Sequence, residues 1–360
     1  MLLHPIALLC VLGCATSACA QSPAAAPTKP APASLYAIAV KDLRTTFGLD
    51  GGRFLDLPAV PDDAAAARFA EPEWAKSLER AAKEIAMFAQ AARLPNADFG
   101  IASDPKELAY EELQGHLLQL AKLTAAQGWH HLRAGLPAAA AHDAVTLLHH
   151  ARHVGTQPSR VACMATTDAE RHAAALLAEA LRDGSGLSDR ETERLHAEID
   201  THLQQRGGRK QLVANLQAEV RHLLTTTLRA GAGQPTARGA GKEPDPVDRF
   251  VMDHPVAIAD RIEKVVAGWL SPLQLTTDSG LAEALGEVHR RMTAARKASE
   301  PKDLAKRLPK MTAEQRLEAV ATMLATMMCE RPGPWLERER LAAAELRALR
   351  QRAADAATGK

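Results

Sequence analysis

Residues 113–135, LQGHLLQLAKLTAAQGWHHLRAG, and residues 136–155, LPAAAAHDAVTLLHHARHVG, decide the fold. Each carries apolar residues at helical spacing, and Gly135, Leu136 and Pro137 separate them. Glycine just past one helix and proline just inside the next is the arrangement that ends one helix and starts another. A third apolar-periodic run closes with ERHAAALLAEALRDG at 170–184. The stretch therefore predicts a helix, a tight turn, a second helix and a third.

Working outward, Glu71-Pro72 opens a helix with Trp74, Leu78, Ala81, Ile85 and Phe88 on one face, stopping near Pro95. Asp104-Pro105 is a plausible cap and first-turn pair for the next helix. Ser188 to Glu191 spells a capping box for a helix to about Gln205, and Lys210 to Arg229 reads as another. Helices follow near 256–270, 280–298 and 312–330, the last opened by a second capping box at Thr312 to Gln315. Arg331-Pro332-Gly333-Pro334 breaks the chain before a final charged helix from Trp335 to about Ala356. With Leu341, Leu346 and Leu349 among Arg and Glu, that helix either closes the bundle or docks a partner. Ser34 to Pro61 is the least readable part.

The fold class is all-α, a bundle of antiparallel helical hairpins, with two lobes as an option. The expected organisation is a signal peptide at 1–20, a Pro/Ala-rich tether at 21–34 and an N-terminal helical domain at 35–230. A linker at 231–248, GAGQPTARGAGKEPDPVD, then leads to a C-terminal helical segment at 249–360.

Composition narrows the function. The chain has 360 residues, and Lys plus Arg number 44 against 43 Asp plus Glu, so no basic excess advertises nucleic acid. Aromatics at 3% leave few platforms on which bases could stack. Ala, Leu, Arg and Glu dominate, a helix-favouring mixture.

The apolar run from Ile6 to Ala15 is too short to span a bilayer but suits the core of an export signal, although no Lys or Arg precedes it. Ala18-Cys19-Ala20 resembles a signal peptidase I site. Val11-Leu12-Gly13-Cys14 resembles a lipobox, which would place a lipid on Cys14. Export to the periplasm or cell envelope is expected either way, with membrane contact only through such an anchor. Cleavage after Ala20 leaves Cys163 and Cys329, which an oxidising compartment would allow to bridge. Two buried thiols fit equally well.

Histidine is the oddity, with 14 in the chain. On the helix from 137, at about 100° per residue, His142, His149 and His153 fall within about 40° of one another. Ala140, Ala144, Leu147, Leu148 and Ala151 mark the opposite, buried side. The three histidines are thus expected as an exposed stripe. His149 and His153 could share a Zn, Cu or Ni ion, with a third ligand from elsewhere such as His130 or His131. Otherwise the stripe is a solvated face that titrates near neutrality.

Other patterns carry less. Glu193/His196 and Glu219/His222 have the spacing of a carboxylate-bridged di-metal bundle, but Glu193 and His222 point away from their core faces. Gly239-Ala240-Gly241-Lys242 lacks the first glycine and the hydroxyl of a phosphate loop and reads as linker. There is no Gly-x-Ser-x-Gly and no His-Glu-x-x-His, and Met323, Met327 and Met328 read as packing. Gly128, Gly135 and Ala140 are spaced like part of a tetratricopeptide repeat, with no second copy at that period.

The order of features resembles a family of exported or membrane-tethered helical proteins of planctomycete-type bacteria. The residues that carry the likeness are Trp74 with its helix, the Leu113–Arg133 helix, and LLHHARHVGTQPSRV at 147–161, similar to the family's LLxLARHV…P stretch. It covers roughly 70–330 and implies a helical fold and export, with no activity attached. The family's Tyr- and Pro-containing C-terminal segment is lacking.

The expected function is an exported interaction or scaffold protein of the cell envelope that holds a protein partner in a helical groove. A metal-binding envelope protein using the histidine stripe is the alternative. An enzyme of unrecognised type stays open, and a cleft gathering titratable groups from separate helices would favour it.

Overall fold

Pro137 is the first residue of its helix and Gly135 adopts a φ of 72°, so the chain reverses between two long helices as the sequence predicts. A side chain at Gly135 would be forced into the left-handed region, which costs roughly 1–2 kcal/mol for an L residue. The computed structural model describes residues 32–49, 72–95, 97, 107–157, 160–182, 186–208, 210–215, 217, 246–274, 279–299, 301–328 and 333–357. The leader with Cys14, the tether up to residue 31, Glu219, His222, residues 231–245 and Cys329 lie outside them.

The helices are α1 (Pro32–Phe47), α2 (Pro72–Arg80), α3 (Ala82–Ala92), α4 (Glu107–Arg133), α5 (Pro137–Gly155), α6 (Arg160–Ala180) and α7 (Asp189–Gln205). After them come α8 (Pro246–Asp253), α9 (Pro255–Gln274), α10 (Leu281–Ala298), α11 (Pro301–Arg307), α12 (Ala313–Met328) and α13 (Gly333–Ala357). The fold is all-α, with no strand among the described residues. None of the described helices is long and apolar enough to cross a membrane.

Both capping boxes form. Ser188 Oγ accepts from the Glu191 N–H at 3.3 Å while a Glu191 carboxylate oxygen accepts from the Ser188 N–H at 2.9 Å. Thr312 and Gln315 make the same reciprocal pair at 3.2 and 2.9 Å. Each pair satisfies two N–H groups that a helix start would otherwise leave without partners.

Three boundaries differ from the expectation. The stretch at Ser34–Pro61, unreadable as sequence, contains α1, which begins at Pro32 inside the expected tether. The helix expected from Pro72 to Pro95 is divided at Ala81. Helix α8 begins inside the expected linker.

The described residues all belong to one compact unit, Ala31–Lys360, whose buried apolar side chains form two main clusters. The first draws Leu35, Tyr36 and Leu43 from α1, Phe88 from α3, Leu117 and Leu120 from α4, and the inner faces of α5 and α6. Alanine dominates these faces, with Ala140, Ala144, Ala151, Ala169 and Ala173 all buried, which lets the helices approach closely. Gly128 shows how closely: a β-carbon there would lie 2.7 Å from Leu176 Cδ1. The second cluster is built on Ile258, Ile262, Leu270, Val288, Leu304 and Val320 and reaches back to Cys163, Leu212 and Val213. Helix α13 takes part in both, with Leu336 in the second and Leu346 and Leu349 in the first.

Candidate binding cleft

Helix α5 is buried along its apolar face and over the C-terminal part of the opposite face. Its apolar face contains the expected Ala140, Ala144, Leu147, Leu148 and Ala151, and on the opposite side His153 is covered as well. The expected exposed histidine stripe is therefore corrected: His142 is exposed, His149 half-buried and His153 buried at 7% exposure. Helical phase placed the three rings on one side correctly, but α1, the end of α3 and α7 lie over that side.

Each ring has its own partner. The fully buried Tyr36 hydroxyl lies 3.0 Å from His153 Nδ1 and 3.4 Å from His150 Nδ1. With the Leu94 backbone hydrogen-bonded to His153, Tyr36 donates to His153, and the neutral His150 donates to the tyrosine oxygen. Burial, then the neighbouring His153, pushes His150 down to about 3. Burial also pushes His153 down to about 4, against the raising effect of the Leu94 hydrogen bond and with help from His149 and Arg152. Tyr36 is raised by burial, so the hydroxyl keeps its proton. His149 Nε2 faces Glu198 on α7 at 3.0 Å. His142 Nε2 accepts from Arg93, and burial first and Arg93 second lower its pKa.

These placements do not assemble a metal centre. Among the described residues no group of three His, Cys, Asp or Glu side chains gathers around one point. His131, suggested as a third ligand, pairs with the buried Asp143 at 2.8 Å, and that hydrogen bond raises its pKa. The other suggested ligand, His130, is half-buried on α4.

His149 and His153 instead border a cleft of about 690 Å³. Arg93 and Leu94 line it from the end of α3, His149, Arg152 and His153 from α5, and Gln205 from the end of α7. Ala92, Pro95 and Ala97 supply an apolar wall. Its size lies in the range of about 300–1,000 Å³ usual for sites that bind small groups. Arg152 donates to Gln205 Oε1 at 2.7 Å and stands 3.9 Å from Glu198. Burial lowers the Arg152 pKa, only partly offset by Glu198. Glu198 is held below the usual carboxylate range by its hydrogen bond to His149, against burial, with Arg152 and Arg194 assisting.

A second cavity of about 130 Å³ adjoins the cleft, sharing Arg152, Thr156 and Gln205 with it. Its wall is an ion network with almost no access to water. Glu170 on α6 accepts from Arg206 at 2.7 and 2.8 Å and lies 2.9 Å from His202 Nε2. Arg206 also donates to Glu339 of α13 at 2.6 Å. Burial alone would push the Glu170 carboxyl up, but Arg206 and His202 hold it at about 2. Burial likewise opposes the Arg206 charge, and Glu170 and Glu339 more than reverse that. The network ties α6, the end of α7 and the C-terminal helix together around one guanidinium.

Cys163 lines this second cavity, buried, with Asn215 Nδ2 3.5 Å from its sulfur. Its expected partner Cys329 is outside the described residues. Glu193 is exposed and His196 pairs with Asp200 at 3.5 Å, so that pair stays on the surface as its helical phase indicated. Met323 is buried in the second apolar cluster. The residues that sequence reading passed over are Tyr36, Arg93, Glu170, Glu198, Arg206 and Glu339. Their partners lie 32 to 133 positions away, apart from which nothing local distinguishes them.

No family model, curated protein or solved structure matches this chain. The likeness to helical proteins of planctomycete-type bacteria therefore stands on the quoted residues alone.

Proposed function

We propose that this chain is an exported helical scaffold of the cell envelope that holds a protein partner, with the cleft between α3, α5 and α7 as its binding element. The cleft is the observation that carries the reading. Three helices supply its walls, and neighbouring hydrogen bonds fix the lining: His153 to Tyr36, His149 to Glu198 and Arg152 to Gln205. A site whose side chains are already ordered loses less freedom when it binds. Export and envelope location are supported by the apolar run at Ile6–Ala15 and the processing patterns after it.

The test places a photoreactive residue at Gln205 in the cleft and, separately, at Glu283, exposed on α10. Irradiation of intact cells should give one near-stoichiometric adduct from position 205 and none of the same mass from 283. Equal labelling from both positions, or none from 205, would contradict a partner in the cleft.

A second reading, an enzyme of unrecognised type, is favoured by the cleft's mixture of groups from separate helices. Glu198 orients His149 at 3.0 Å, the geometry of a carboxylate–histidine base beside a cavity. A turnover by the purified protein that disappears in His149→Ala would move the assignment from scaffold to enzyme.

A further inference from the structure

Among the described residues, the guanidinium groups at the cleft outnumber the carboxylates beside them. Among the described residues, Arg93 makes a hydrogen bond only with the His142 imidazole and has no carboxylate partner. Arg152 has Gln205 at 2.7 Å, and its nearest carboxylate is Glu198 at 3.9 Å, already engaged with His149. Among the described residues, two guanidinium groups thus stand at the cleft, with Glu198 the one carboxylate beside them. Arg194, exposed on α7, adds to the positive field over Glu198 and His142. His149, His153 and Thr156 line the cleft together with Arg152, and none of them brings a negative charge. Ala92, Leu94, Pro95 and Ala97 add apolar surface to the same lining.

Resting on the binding role proposed above, we infer that the cleft recognises a singly charged carboxylate joined to a short apolar segment. A guanidinium has the planar fork that matches a carboxylate's two oxygens. The guanidinium groups call for an anion, and the apolar lining beside them favours a carboxylate that carries an apolar group over inorganic phosphate, which has none. The carboxylate sits between Arg93 and Arg152, and the attached apolar group lies along Leu94 and Pro95. Two sources carry this chemistry: an acidic side chain on a partner protein and a free small organic acid.

Titration calorimetry on the purified protein separates the outcomes. The probes are hexanoate, its neutral analogue hexanamide, inorganic phosphate, and a capped tripeptide with one central glutamate. Hexanoate or the peptide should bind, hexanamide and phosphate should bind at least about tenfold more weakly, and Arg93→Ala and Arg152→Gln should each reduce carboxylate affinity by about tenfold or more. Arg93 is exposed at a helix end, so its replacement leaves the core untouched. Tighter binding of the peptide assigns the carboxylate to a partner protein, and tighter binding of hexanoate assigns it to a small molecule. Equal affinity for hexanoate and hexanamide, preference for phosphate, or no carboxylate binding up to millimolar concentration overturns the inference. If those ligands bind without charge preference but are lost when Thr156→Trp fills the cleft, the binding site stands and only its carboxylate selectivity fails.

Discussion

Replacing Arg206 with methionine is expected to destabilise the protein by about 3–5 kcal/mol, the cost of removing one partner from a buried ion pair. Glu170 would be left fully buried with only His202 beside it, and α13 would lose its polar link to the α7 end at Glu339. The substitution keeps much of the side-chain volume, so lost packing contributes little. Urea unfolding followed by circular dichroism reads the effect as a lower midpoint. Adding Glu170→Gln to Arg206→Met should recover part of the loss, because the uncompensated charge is then gone. A midpoint within error of the unmodified protein would show that the network does not hold the helices together.

Acid should unfold the chain unusually early. An unfolded histidine takes up a proton near pH 6.5, whereas His150 and His153 stay neutral in the fold until about 3 and about 4. Between those limits the unfolded chain binds more protons than the folded one, so stability is full above about pH 6.5 and falls as the pH falls. The slope is about 1.4 kcal/mol per pH unit for each histidine, so lowering the pH to about 5 removes about 4 kcal/mol. Glu170 adds nothing in that window, because its own contribution is lost only below about 4.5, as the pH approaches about 2. Unfolding curves at a series of pH values test this. The acid slope should fall by about half in His150→Leu, which removes one of the two neutral rings. An unchanged slope in that variant would place the acid sensitivity elsewhere.

How much of this the sequence revealed depends on the range of the interaction responsible. Local chemistry was legible: the capping boxes at Ser188 and Thr312, the Gly135–Pro137 reversal, and helices close to their final bounds at 281–298 and 313–328 all rest on neighbours within a turn. Helix α1 was not, although Leu35, Tyr36, Ala39, Val40 and Leu43 have helical spacing. Proline and alanine run straight into it, and its first turn has no acidic residue to mark a start.

The histidine stripe failed differently. The angles among His142, His149 and His153 followed from helix geometry, but exposure is not a property of one helix. Tyr36, 117 positions before His153, and Glu198, 49 after His149, close that face. Nothing in the local pattern separates a solvated histidine from one that accepts a tyrosine hydrogen bond. The cleft is legible only once those distant elements are in place, and the Glu170–Arg206–Glu339 network is the same case.

The most direct test of the binding cleft is to fill it. Thr156 is exposed and borders both cavities, so Thr156→Trp adds bulk to the cleft without entering either apolar cluster. Crosslinking from position 205 should then lose its near-stoichiometric adduct, while the thermal melt of the purified variant stays within a few degrees of the parent. A variant that melts like the parent and still yields the full adduct would contradict the central claim, because the partner would then be held somewhere other than the cleft.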